Sequence, residues 1–299
     1  MKLGYLGLGE LGGHLAMSLL RGGHDLVVYD VDPKRSDRHV AAGAKRANSI
    51  GDLAAQVDHI FTCLPSPAIS EKVLDEILPR AKPGMVWIEN STLGRDDIQR
   101  LAAKAQAAGL KVLESPVTGG VHLAARAEIS VLVGGDEALF KQHEPLLKQI
   151  GNRIFFMGPI GSAAVIKVIT NMLAFIHLVA DAEALMLAKR GGLDLGQAWR
   201  AIAASSGSSF VHETEGQLIL NGSYDIAFTM DLALKDLGFA MKFGEDFGVP
   251  LDLARRTFET FQKGKAAYGG SAQSTQIAKL LEDALKTDLR AEGFPARLI

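Results

Sequence analysis

Lys167 and Asn171 stand four residues apart, and Lys167 is the sole charged residue between Gly161 and Asp181. Four residues make about one α-helical turn, so the two side chains share a face. A lysine in so apolar a stretch is costly to bury unless it is paired or functional. A desolvated ammonium gives up its proton more readily, and a lysine tuned that way can exchange a proton with a substrate hydroxyl. The pattern equally suits a lysine at a domain edge, with its stem buried and its head in water. Asn171 suits either a donor to substrate or a hydrogen bond between packed helices.

A second constellation opens the chain. The apolar run Leu3–Leu6 leads directly into Gly7-Leu8-Gly9-Glu10-Leu11-Gly12, which fits G-x-G-x-x-G. A helical stretch to Arg21, a turn at Gly22-Gly23-His24 and the run Leu26–Tyr29 follow, ending in Asp30. Strand, glycine turn, helix, strand and acid come in the order a dinucleotide site requires. Gly7 permits the tight turn, Gly9 lets the backbone approach a pyrophosphate, and Gly12 lets the helix pack on the strand. The helix start offers N–H groups and a positive dipole end to phosphates. Asp30, 18 positions beyond Gly12, suits the adenosine ribose hydroxyls and repels a 2′-phosphate, so NAD is favoured over NADP. Lys34 and Arg35 offer a 2′-phosphate partner in the alternative; otherwise they begin the next helix and face solvent.

Other positions have chemical potential of a more local kind. Thr118, followed by Gly119 and Gly120 in the segment from Ser115, offers a hydroxyl and exposed N–H groups to a carboxylate, or forms an ordinary turn. Ser91 and Thr92 either touch a nicotinamide or cap the helix starting near Gly94. Leu64 and Pro65 sit in another loop at the same sheet edge. Lys235, beside Asp236, suits neutralising an acidic substrate or the cofactor, or a solvated ion pair. His122 reads as polar surface, His177 as a satisfied core histidine, and Cys63 as an inert strand residue. No H-x-x-x-H or C-x-x-C spacing supports a metal site.

These residues need a frame. Strand-like runs at Leu3–Leu6, Leu26–Tyr29, Ile60–Leu64, Met85–Asn90, Lys111–Ser115, Ser130–Gly134 and Arg153–Met157 alternate with helical patterns. Alternation predicts an α/β, Rossmann-type doubly wound, mostly parallel sheet over residues 1–161, with ligands at the carboxyl edge. Beyond Gly161 the pattern is helical throughout. It begins with one long apolar helix from Ser162 to Arg190, so residues 162–299 read as an all-α domain. That helix needs cover on most faces, from its own domain or a second subunit.

Composition narrows the function classes. Lys+Arg 32 against Asp+Glu 34 leaves no basic excess for nucleic acid or an anionic membrane surface. No uninterrupted apolar run reaches bilayer length, and no leader pattern precedes the first strand. With a single cysteine, the expected compartment is the cytoplasm.

Four of these motifs, in order and spacing, resemble the β-hydroxyacid dehydrogenase family, the group containing 3-hydroxyisobutyrate dehydrogenase and tartronate semialdehyde reductase. They are Gly4–Gly12, Glu114–Val121, Gly161–Asn171 and Lys235-Asp236, and together they span essentially the whole chain. The resemblance implies Lys167 as general acid/base, Asn171 as its substrate-orienting partner and Ser115 with Thr118-Gly119-Gly120 as the carboxylate cradle. It also implies Ser91 and Thr92 at the nicotinamide, Lys235 closing the site, and a homodimer or homotetramer built on the long helix. Thr170, Ala127-Glu128-Ile129 and Gln273 depart from the family's usual Asn, Gly-Thr-Leu and Asp. The expected reaction is NAD(P)-dependent interconversion of a small 3-hydroxy acid and its semialdehyde or keto acid. Imine reduction, phosphogluconate-type decarboxylation and a non-catalytic dinucleotide sensor are the competing readings.

Overall fold

A computed structural model describes residues 1–298 and divides the chain into two compact units, Met1–Lys167 and Val168–Ile299. The first unit runs β1 (Lys2–Leu6), α1 (Glu10–Arg21), β2 (Asp25–Tyr29), α2 (Asp37–Ala41), β3 (Lys45–Arg46), α3 (Ile50–Gln56), β4 (His59–Thr62) and α4 (Pro67–Ile77). It continues with β5 (Val86–Glu89), α5 (Arg95–Ala107), β6 (Lys111–Glu114), β7 (Val117–Thr118), α6 (Val121–Ala125), β8 (Ile129–Gly135), α7 (Glu137–Leu147) and β9 (Gly151–Gly158). The strands form one sheet in the order β3-β2-β1-β4-β5-β6-β8-β7, with β9 added to β8.

From β3 to β6 every pairing is parallel, with Leu3 opposite both Leu26 and His59. The order reverses beside β1, so the loop after β1 sits at the switch point where α/β sheets bind ligands. The far edge differs from a purely parallel sheet: β8 runs antiparallel to β6 and β7. The two-residue strands β3 and β7 carry no apolar alternation that a sequence pattern could register.

Successive residues of a strand face opposite ways, and the core records it. Tyr5, Val28, Phe61 and Ile88 belong to one buried cluster, covered by Leu15 and Leu19 of α1 and Leu139 and Leu147 of α7. Their neighbours Leu6, Val27, Ile60 and Trp87 belong to the other, covered by Leu53 of α3, Leu74 of α4 and Leu101 of α5. Both sheet faces are therefore buried, as a parallel sheet demands.

Helix α8 spans Ser162–Arg190, matching the helix read from sequence. The division between units falls inside it, six residues beyond Gly161, because Ala164 packs in the first unit's core. In the second unit follow α9 (Leu195–Ala203), α10 (Phe210–Asn221), α11 (Met230–Phe247), α12 (Asp252–Tyr268) and α13 (Lys279–Leu285). Gly222 and Gly248, both at positive φ, end α10 and α11. Phe175, Leu178, Ala182, Leu185 and Met186 of α8 join Val211, Ile219, Leu237 and Phe261 in one core.

One expectation for α8 needs correction. His177 is exposed and not a core histidine, because it lies on the face opposite Phe175, Leu178 and Ala182. By length and composition alone α8 also qualifies as a membrane span, with mean hydropathy 1.9 over its most apolar window, although Lys167 and Asn171 interrupt the run.

Candidate active site

The glycine turn after β1 is built as its sequence requires. Gly7 has φ +91°, and a Cβ there would collide with the Cys63 carbonyl oxygen. A Cβ on Gly12 would collide with the Gly7 carbonyl oxygen, so α1 can approach β1 only with glycine there. Gly9 caps α1 without a side-chain hydrogen bond, leaving the helix start unblocked by a capping side chain. Such an open helix start fits a pyrophosphate, and so a dinucleotide.

Asp30 has backbone partners of its own. Its Oδ2 accepts from Leu8 N at 2.7 Å and its Oδ1 from Asp32 N at 2.9 Å. The carboxylate thus ties the glycine turn to the end of β2 while keeping lone pairs for hydroxyl donors. Lys34 and Arg35 lie in a 3-10 turn from Pro33 to Ser36, not at the start of an α-helix. Arg35 is half exposed, yet its Nη1 lies 3.1 Å from where a Gly9 Cβ would stand, so its head covers the glycine turn.

The next loops are locked to one another. Leu64 N donates to Ser91 Oγ at 2.7 Å, and Ser91 N donates to Glu89 Oε1 at 2.8 Å. Burial raises the pKa of Glu89 against the pull of Ser91 and other hydroxyl donors. Pro65 precedes Ser66, which caps α4. Gly94 caps α5 with no side-chain bond, so neither Ser91 nor Thr92 serves as that cap.

After β6 the chain forms the turn expected to hold a carboxylate. Thr118 pairs with Ser130 across β7 and β8, and Gly119 and Gly120 follow at φ +129° and +89°. Gly120 caps α6, and the His122 ring lies beside it. Burial and then Arg126 lower the pKa of His122, which favours the neutral imidazole. Ser115 departs from its expected role: its side chain is fully buried and its hydroxyl has no hydrogen-bond partner. It shares the loop through its carbonyl, which accepts from Asn90 Nδ2 at 2.7 Å.

Lys167 is buried on the second turn of α8. The preceding turn is held by a residue to which sequence reasoning gave no role. Glu114 Oε1 accepts from Gly161 N at 2.7 Å and Ala163 N at 2.9 Å, and its Oε2 from Ala164 N at 3.1 Å. Burial pushes the Glu114 carboxyl up to about 7, against the opposing pull of those three N–H groups. In the sequence Glu114 shows only as an acid at the end of a strand-like run; its pairing with Gly134 on β8 is set by the fold.

In the second unit, Asn171 Nδ2 donates to Asp236 Oδ2 at 2.6 Å. Lys235 Nζ lies 2.8 Å from Asp236 Oδ1, a charge contact without good hydrogen-bond alignment. Asp236 is 1% exposed and the Lys235 side chain 20%, so this is not a solvated surface pair. The stem of Lys235 runs along α11, with its ammonium 5.3 Å from the Phe239 ring centre. Gln273 accepts from Phe228 N at 3.1 Å and so braces the entry to α11. Among the described residues, no group of three or more His, Cys, Asp or Glu is placed to hold a metal.

The sequence of the first unit matches the family description "NAD binding domain of 6-phosphogluconate dehydrogenase" over residues 2–158. Residues 161–281 match "NAD-binding of NADP-dependent 3-hydroxyisobutyrate dehydrogenase". The chain belongs to the β-hydroxyacid dehydrogenase family. Its membership makes it an NAD(P)-dependent hydroxyacid dehydrogenase, with a nicotinamide dinucleotide as cofactor. The 2-(hydroxymethyl)glutarate dehydrogenase of Eubacterium barkeri is 31% identical over 286 residues, covering 94% of this chain and 95% of that protein. Rat mitochondrial 3-hydroxyisobutyrate dehydrogenase is 31% identical, covering 83% and 77% respectively. Among solved structures, a 3-hydroxyisobutyrate dehydrogenase from Salmonella typhimurium superposes with a TM-score of 0.88 at 29% identity, covering 94% of this chain and 99% of that one. An imine reductase from Pseudomonas shares the fold at 18% identity, with a TM-score of 0.65 and coverage of 93% and 98%.

Proposed function

We propose that this dehydrogenase interconverts a small 3-hydroxy acid and its semialdehyde or keto acid, with Lys167 as the general acid/base. The observation that carries the reading is the buried Lys167 on the same helical face as Asn171, whose amide is fixed by Asp236. In oxidation Lys167 takes the proton from the substrate hydroxyl, and in reduction it returns one to the carbonyl oxygen. Asn171 orients that oxygen, and its amide is pre-set because Asp236 holds its Nδ2. Thr118, Gly119 and Gly120 receive the substrate carboxylate, with Lys235 adding positive charge. When bound, the cofactor supplies or accepts the hydride.

The glycine turn from Gly7 to Gly12, Asp30, Leu64, Pro65, Ser91 and Thr92 are the residues that would hold the cofactor. NAD is the favoured form. What supports this is the pair Asp30 and Asp32, flanking Val31, which is 88% exposed: two carboxylates at the end of β2 would repel a 2′-phosphate bound there. Arg35, with neighbouring Lys34, favours NADP instead, and Asp32 Oδ2 lies 3.8 Å from the Arg35 Nε. We also propose a cytoplasmic homodimer or homotetramer acting on soluble carboxylates, with neither nucleic acid nor membrane as partner. The exposed Ile169, Leu173 and Leu187 of α8 give such an assembly an apolar face.

The test is nicotinamide absorbance with 3-hydroxyisobutyrate, L-threonate and 2-(hydroxymethyl)glutarate, using NAD and NADP separately. Turnover that falls about 100-fold or more in Lys167→Ala, with NAD affinity retained, supports the reading. Equal turnover in parent and variant removes Lys167 from the chemistry. Light scattering on the eluted protein gives the subunit number, and a monomer would overturn the assembly.

A further inference from the structure

We infer that Glu114 is a positioning residue: its buried carboxylate fixes the first turn of α8, and hence Lys167, to the end of β6, from which the chain runs on to the Thr118–Gly120 turn. The inference rests on the reading of Lys167 as acid/base.

The first N–H groups of a helix have no acceptor within the helix. At α8, Ser162 N bonds back to Pro159 O at 3.0 Å, and Val165 N makes the first helical bond, to Gly161 O, at 3.1 Å. That leaves Ala163 N and Ala164 N, the two groups a capping side chain normally serves. The capping position is Gly161, at φ +101°, which has no side chain to offer. Glu114 supplies the missing cap from about fifty positions away, and takes Gly161 N as well.

All three partners are donors, so the geometry is matched to a carboxylate with acceptors on both oxygens. The fit is also steric. A Cβ on Gly134, which faces Glu114 in register, would collide with its carboxylate. Gln99 Nε2 donates to Ile160 O at 3.1 Å and steadies the same turn from outside. Ala163 lies four residues before Lys167, one helical turn. Glu114 immediately precedes Ser115, so its backbone leads the chain into the cradle while its side chain holds the lysine's helix. One side chain thus sets the distance between two parts of the reacting geometry. Small misplacements of that kind lower turnover more than they lower binding.

The experiment compares the parent with Glu114→Gln, Glu114→Asp, Lys167→Ala and the double variant Glu114→Gln/Lys167→Ala. Glutamine keeps the shape but turns a donor towards Ala164 N, while aspartate keeps the charge but falls a methylene short. The substrate is the fastest of the three hydroxy acids above. We expect kcat of Glu114→Gln to fall about 10- to 100-fold, with KM and NAD affinity within about threefold, and Glu114→Asp to recover part of the loss. In the Lys167→Ala background the glutamine change should cost nothing further, because its effect passes through the lysine. A second readout needs no turnover: in 15N-lysine-labelled protein, the Nζ signal absent from Lys167→Ala should shift in Glu114→Gln. An unshifted signal, kcat within twofold of the parent, or a loss that multiplies in the double variant overturns the inference. Full activity in Lys167→Ala overturns the acid/base reading and this inference with it.

Discussion

Asn171 and Asp236 are joined side chain to side chain, Nδ2 to Oδ2 at 2.6 Å, and both are buried. The bond decides which way the Asn171 amide faces, since only Nδ2 can donate. Asp236→Ala removes that acceptor and takes away the carboxylate beside Lys235. We expect a loss of about 2 kcal/mol in stability, the cost of leaving a buried donor and a nearby charge unmatched. Turnover should fall about 10- to 100-fold as Asn171 loses its orientation. Urea unfolding and steady-state kinetics check the two effects. An unchanged kcat would show that the orientation of Asn171 does not matter to the reaction.

Asp30 bonds to Leu8 N of the glycine turn, and this makes a second prediction. Asp30→Asn removes the charge that both assists that bond and repels a 2′-phosphate. The affinity for NAD should fall about tenfold, corresponding to roughly 1.4 kcal/mol, while that for NADP falls less. Fluorescence titration with each dinucleotide measures the ratio. A ratio unchanged by the substitution would place cofactor choice elsewhere, with Asp32 or Arg35.

Much of this was legible before any coordinates. The glycine turn, Asp30, the seven longer strands and α8 follow from glycine spacing and apolar periodicity, which act locally. The roles of Glu114 and Gln273 were not legible, because each bonds to backbone groups distant in sequence. The antiparallel turn of β8 was hidden for the same reason: strand direction depends on the path between strands and not on their composition. Ser115 shows the converse error. Its motif suggested a ligand, but the side chain closes into the interior.

Ala127 sits at φ +56° in the turn after α6. A residue with a Cβ is strained there, by about 1–2 kcal/mol. Ala127→Gly should therefore stabilise the protein by about 1 kcal/mol once glycine's extra freedom in the unfolded chain is counted. That corresponds to a rise of roughly 2–4 °C in Tm, readable by calorimetry. Neighbouring Glu128 pairs with Arg126 at the surface, and turnover should not change. A lower Tm would mean that the left-handed backbone at Ala127 carries no strain.

The second unit should be more stable in mild acid than in mild base. His212 is 1% exposed, and its two ring nitrogens face Asp181 Oδ1 and the Trp199 carbonyl oxygen. Both partners accept, so both nitrogens must donate, and the ring is suited to carry a proton. Burial opposes that charge, but the Asp181 carboxylate and the Trp199 carbonyl outweigh it and raise the His212 pKa. Nearby Glu215 is pushed up to about 7, first by burial, with Asp181 adding to the rise. A raised histidine contributes stability that is fully present below its unfolded pKa of about 6.5 and is lost as pH rises through the folded value. Glu215 has the same sign: its contribution is present below its unfolded value of about 4.5 and is lost as pH rises through about 7. Thermal melts from pH 5 to 8.5 should show the parent losing stability upward through this window. Asp181→Asn removes the counter-charge of His212 and lowers Glu215, so its melting curve should be flatter in pH. A variant with the parent's slope would show that the His212–Asp181 pair keeps one protonation state throughout.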